Sequence, residues 1–200
     1  MPSANLLPGD QAILAKTVQW LERAVIGLNL CPFAKGVHVK GQVHYRISHA
    51  TQPTELMEVL EAELLALQAA DPAERDTTLL ILPACCPDFL DFNDLAQDAD
   101  RALYNLGLEG ELQIASFHPL FQFAGTEVDD ITNFTNRAPY AMLHLLREDS
   151  IARAVEAFPD AEQIYEKNMQ TLETLGHAGW DAMGLGPDLP DGAQCPQEKQ

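Results

Sequence analysis

Two hundred residues, 46% hydrophobic and 21% charged, are enough for one globular domain with a buried core. Thirty Asp and Glu against 12 Lys and Arg give a net charge of −18, which repels phosphate backbones and anionic lipid and makes nucleic acid and membranes poor partners. Cys31, Cys85, Cys86 and Cys195 form neither a Cys-x-x-Cys nor a disulfide framework. The stretch Met1–Lys16 lacks the basic, apolar and small-residue segments of a signal peptide, so the expected location is cytoplasmic.

In chain order, residues 1–9 are expected to be flexible, and Asp10 to cap a helix running to about Leu28. Val37 to Ser48 reads as β, with a hairpin turn at Lys40-Gly41. A second helix from Thr54 to about Ala69 puts Leu56, Leu60, Leu64 and Leu67 on its inner face. Thr77–Pro83 is a continuous apolar run of strand length, as expected for a strand covered on both faces. Asp88 starts a helix to about Leu106, and Glu111–Phe117 is the next strand. Pro139 suits the first turn of a helix reaching about Glu148, and helical stretches follow near Ser150–Ala157 and Ala161–Gly176. The tail 187–200 has neither period nor apolar content and is expected to be disordered. Residues 10–186 then make a single α/β domain, a small sheet of three or more strands, mixed or parallel, covered by helices.

Chemistry-bearing groups concentrate between Phe117 and Glu148. If the three strands run parallel, His49, Cys85-Cys86 and His118 fall at their carboxyl ends, where open α/β folds bind ligands. Each also has an ordinary reading: a cap, two small packing residues, a loop hydrogen bond. Arg137 beside a helix start at Pro139 would clamp a carboxylate or phosphate, and Tyr140, His144 and Arg147 would share a polar stripe on that helix. Asn133 and Asn136 fit such a pocket, and equally fit turn caps. Asp129, Asp130 and His118 are candidate metal ligands, although their spacing matches no defined metal motif. Cys31, ahead of Pro32, reads either as a nucleophile activated by a distant histidine or as a small buried residue closing a helix. Lys35 nearby would lower its pKa if it pointed inward. No phosphate-binding glycine loop, dinucleotide fingerprint or Gly-x-Ser-x-Gly is present, and the sequence leaves the cofactor unknown.

GLNLCPFAK (Gly27–Lys35), DFLDFNDL (Asp88–Leu95), ASFHP (Ala115–Pro119), FAGT (Phe123–Thr126), DDITNFTNRAPY (Asp129–Tyr140) and LHLLRE (Leu143–Glu148) together resemble the family catalogued as domain of unknown function 1415, over about Ala12 to Trp180. The resemblance implies a single domain and assigns no activity, substrate or cofactor. Cys31, His118, Asp129, Asp130, Asn133, Asn136, Arg137 and His144 fall within its motifs, whereas Cys85-Cys86 does not.

The expectation is an enzyme, a hydrolase or transferase, acting on a small anionic metabolite. Arg137, Asn133, Asn136, Tyr140 and Arg147 would bind it, and His118, His144 and Cys31 would supply the chemistry. The alternatives are a non-catalytic ligand-binding or regulatory domain and a His/Asp metal-binding protein.

Overall fold

Thr77–Leu82 (β2) is buried at every position, and the fold is organised around it. In the computed structural model, which describes residue 7, residues 9–156 and residues 163–186, four strands form one mixed sheet in the order β1-β2-β4-β3. The tail 187–200 and most of the segment 1–9 lie outside the described residues. Strand β1 is Val43–Ile47, β3 is Leu112–Phe117 and β4 is Ala141–Arg147. β1 pairs parallel with β2, and β4 runs antiparallel to both β2 and β3. The three strands read from the sequence are therefore parallel to one another, and a fourth, reversed strand is inserted among them.

One face of the sheet carries Leu80, Leu82, Leu143 and Leu145. It is covered by α3 (Pro53–Ala69), through Leu56, Leu60, Leu64 and Leu67, and by α4 (Phe89–Asn105), through Phe92, Leu95 and Ala99. Asp88 caps α4, accepting from the N–H groups of Leu90 and Asp91. The other face carries Ile81, Met142 and Tyr140, packed by Trp20, Leu21 and Val25 from the N-terminal helix and by Leu172 and Trp180 from α6 (Ile164–Ala182). A short helix α5 (Glu148–Glu156) continues directly from β4.

Two expectations are corrected. The stretch from Pro139 to Glu148 is not a helix, and Ala141–Arg147 is a central strand. With both faces of β4 covered, apolar residues fall at consecutive positions, and an apolar run of that length has the same composition as a short buried helix. The segment Val37–Ser48 is not a hairpin either: Ala34–Val39 is a helical turn, α2. Lys40-Gly41 closes it, with Gly41 at φ 71° and its N–H donating to the His38 carbonyl. The sheet's antiparallel member is β4.

Helix α1 (Asp10–Trp20) runs into a π-helical turn, Leu21–Ile26. The wider turn brings Gly27 so close to the Arg23 carbonyl that an added Cβ would lie 2.2 Å from its oxygen. Asn29 then takes φ 56°, and the N–H of Cys31 donates back to the Val25 carbonyl at 3.3 Å. Asn168 on α6 holds this loop by donating to the Leu30 carbonyl at 2.9 Å.

Candidate functional site

A cavity of about 400 Å³ opens over the second face of the sheet, within the size range of small-molecule sites. Its floor is Thr77 and Leu79 from β2, Gln113, Ala115 and Phe117 from β3, and His144 and Leu146 from β4. Trp20, Val25, Cys31 and Phe33 form one wall, and Ile151 and Ala154 of α5 another. At the rim the Ser150 hydroxyl donates to Asp76 at 2.6 Å, and exposed Lys40 also lines the opening. The lining is mainly apolar. β1, β2 and β3 do share a carboxyl edge, but on β2 the cavity lies over the amino-terminal half, at Thr77 and Leu79, while Ile81 nearer the carboxyl end belongs to the core cluster of Trp20, Leu172 and Trp180.

His144 is the one imidazole on this floor, and its protonation is fixed by its neighbour. The Thr77 hydroxyl donates to the Leu145 carbonyl at 2.6 Å, which uses its only hydrogen. Its oxygen lies 2.6 Å from His144 Nε2 and therefore accepts from an Nε2–H. Nδ1 is left as the nitrogen with the lone pair. Burial among apolar groups lowers the pKa of His144 to about 4, so at neutral pH the ring is uncharged.

Cys31 lines the same cavity and is half-buried. Its thiol pKa is raised by burial, and the N–H groups of Phe33 and Ala34, which favour the thiolate, offset this in part. Lys35 is exposed and does not tune it. The π-helical turn just before this loop is a conformation found disproportionately at functional sites.

The remaining candidates lie apart from this cavity or have their polar groups engaged. His118 is 1% exposed, donates from Nε2 to the Cys86 carbonyl at 3.0 Å and accepts at Nδ1 from the Leu120 N–H at 3.0 Å, so both ring nitrogens are committed. It stacks on Phe92, and burial lowers its pKa. Arg137 donates to the carbonyls of Phe121 (3.1 Å) and Val128 (2.6 Å) and sits 4.3 Å over the Phe134 ring. There is no helix start beside it. Asn133 is fully buried, accepting from the Phe123 N–H and donating to the Glu127 carbonyl, and Asn136 donates to the Ser116 carbonyl. These two residues and Arg137 tie the 121–137 loop to itself and to β3.

On a strand the stripe of Tyr140, His144 and Arg147 also divides. Tyr140 is buried at the carboxyl end, away from the cavity. Arg147 borders the cavity, but its guanidinium closes the carboxyl end of α3 on the carbonyls of Leu67 and Ala70. Asp130 caps a 3₁₀ turn (Ile131–Thr135), accepting from the Thr132 N–H and hydroxyl, which lower its pKa, and Asp129 is exposed. Among the described residues no group of three or more His, Cys, Asp or Glu is gathered to hold a metal, so Asp129, Asp130 and His118 are not assembled. His49 pairs with buried Asp10 at 2.8 Å and fastens α1 to the end of β1.

Thr77 escaped the sequence reading because a threonine opening an apolar strand looks like a β-former. The one available signal was the polar Thr77-Thr78 pair at the head of an otherwise aliphatic run. The model of the family described as protein of unknown function (DUF1415) matches residues 12–182. No curated protein and no solved structure matches the chain.

Proposed function

We propose that this chain, which belongs to the DUF1415 family of unknown function, is a thiol-dependent enzyme acting on a small molecule with an apolar body and one electrophilic carbonyl. The observation that carries the reading is the Thr77–His144 hydrogen bond, which holds a neutral imidazole with Nδ1 as its basic nitrogen in the cavity that also contains Cys31. In this reading His144 Nδ1 takes the Cys31 proton and the sulfur attacks the carbonyl carbon. His144 returns the proton to the leaving group, and water or a second acceptor then takes the acyl group from sulfur. A thiol that stays protonated until substrate arrives suits a site where burial raises the thiol pKa. The apolar walls select an aliphatic or aromatic substrate body. Because Arg147 is engaged by α3, the anion expected from the sequence has exposed Lys40 to meet it at the rim.

The test uses p-nitrophenyl esters of graded chain length with the full-length protein. Nitrophenolate release should fall about 10²-fold or more in Cys31→Ser and in His144→Ala, and intact mass should show an acyl adduct on Cys31. Ala115→Phe, which fills the floor, should abolish release while the protein stays folded. Release that is indifferent to Cys31→Ser, with no adduct, rejects the enzyme. If the same esters still raised the melting temperature, the cavity would be that of a binding protein.

A further inference from the structure

A second chemical feature lies at the carboxyl end of β2, apart from the cavity. Cys85 and Cys86 are 3% and 7% exposed, and their sulfurs are 3.0 Å apart. Successive side chains of an extended strand point to opposite faces, so adjacent thiols meet only where the backbone turns between them. Cys86 makes that turn at φ 53°, in the left-handed region that non-glycine residues seldom occupy. His118 braces it: Nε2–H donates to the Cys86 carbonyl, the Leu120 N–H holds Nδ1, and Phe89 and Phe92 pack the ring. A pocket of about 40 Å³ opens beside the pair, lined by Cys85, Cys86, Pro87, His118 and Tyr140. That is room for one molecule the size of water or a small peroxide.

We propose that Cys85-Cys86 is a dithiol–disulfide redox centre whose oxidant is a peroxide small enough to enter this pocket. The hydrogen bond from the Cys86 thiol lowers the pKa of Cys85 and raises that of Cys86, which makes Cys85 the attacking sulfur. The Cys85 thiolate attacks one peroxide oxygen, the O–O bond breaks, and the departing hydroxide takes the proton Cys85 released and leaves as water. The Cys86 sulfur then attacks the Cys85 sulfenic acid, the S–S bond forms, and the second oxygen leaves as water with the Cys86 proton. Two thiols lose two electrons, and one peroxide becomes two waters.

No cis peptide is present among the described residues, so the two α-carbons are joined by a trans peptide. They are then about 3.8 Å apart, short of the roughly 4.4–6.8 Å of relaxed disulfides. Such a bond is strained and easily reduced, which suits a reversible switch and not a permanent staple.

The experiment treats the reduced full-length protein with hydrogen peroxide, alkylates the remaining thiols with iodoacetamide and maps them by mass. The expected result is a loss of about 2 Da on the peptide containing both cysteines, neither of them alkylated, and reversal by dithiothreitol. The native pair should oxidise about tenfold faster than the same pair in guanidinium, where the Cys86 hydrogen bond that lowers the Cys85 pKa is gone. Cys86→Ser should stop at a Cys85 sulfenic acid trapped by dimedone. Should that variant fail to fold, the wild-type map and the rate comparison still decide. Three results would overturn the proposal: both cysteines alkylated at a dose that oxidises Cys31, either one linked to Cys31 or Cys195, or equal rates folded and unfolded.

Discussion

At the scale of single residues, His144 makes the sharpest demand. Its folded pKa of about 4 lies below the ordinary histidine value of about 6.5, so between these limits the unfolded chain binds more protons than the folded one. Its contribution is fully present above about pH 6.5 and is lost as pH falls toward 4, amounting to roughly 3 kcal/mol at most. His44 and His118 are depressed in the same direction by burial and add to the trend. The measurement is therefore the difference in urea midpoint between wild type and His144→Gln from pH 7.5 to 4. The variant should show a clearly shallower fall, and parallel curves would contradict the neutral-imidazole assignment. Arg137 makes the opposite kind of demand. A guanidinium that satisfies two loop carbonyls and covers Phe134 is part of the framework, and Arg137→Ala should cost about 2–4 kcal/mol. An unchanged melting temperature, with phosphate stabilising wild type but not the variant, would return Arg137 to the role of ligand anchor.

Among the elements, those with one dominant local signal were readable from the sequence and those decided by partners were not. Asp88 announces α4 because its carboxylate caps the helix start. Asp88→Ala should lower stability by about 1 kcal/mol in a urea titration without altering the slope, and a change below 0.3 kcal/mol would mean the cap is redundant. The aliphatic run of β2 and the leucine spacing of α3 were equally plain. β4 reads as a helix in isolation because Pro139 and a leucine-rich stretch fit a helix start, and only its pairing with β2 on one side and β3 on the other selects the strand. That reading carries into the site. Cys31 and His144 are legible as candidates, but a helical stripe would join His144 to Arg147, whose guanidinium the strand instead directs to the end of α3. Thr77 and the cavity exist only once β2 and β4 are paired, so no local pattern could reveal them.

At the scale of the whole molecule, a net charge of −18 acts as distributed self-repulsion that weakens compact states. Raising sodium chloride from about 0.01 M to about 0.3 M shortens the screening length several-fold and should raise the melting temperature by a few degrees. A fall would show that specific ion pairs such as Arg75–Glu63 outweigh the repulsion. The strand order also bears on how the chain acquires its shape during synthesis. β1 and β2 can pair as soon as both are made, but β3 bonds to nothing in the sheet except β4, which comes later in the chain. Until residues 141–147 leave the ribosome, β3 has open backbone edges and the second face has no floor for α6 to settle on. The sheet therefore closes only once that late segment is available, and the contacts that complete it are long-range ones.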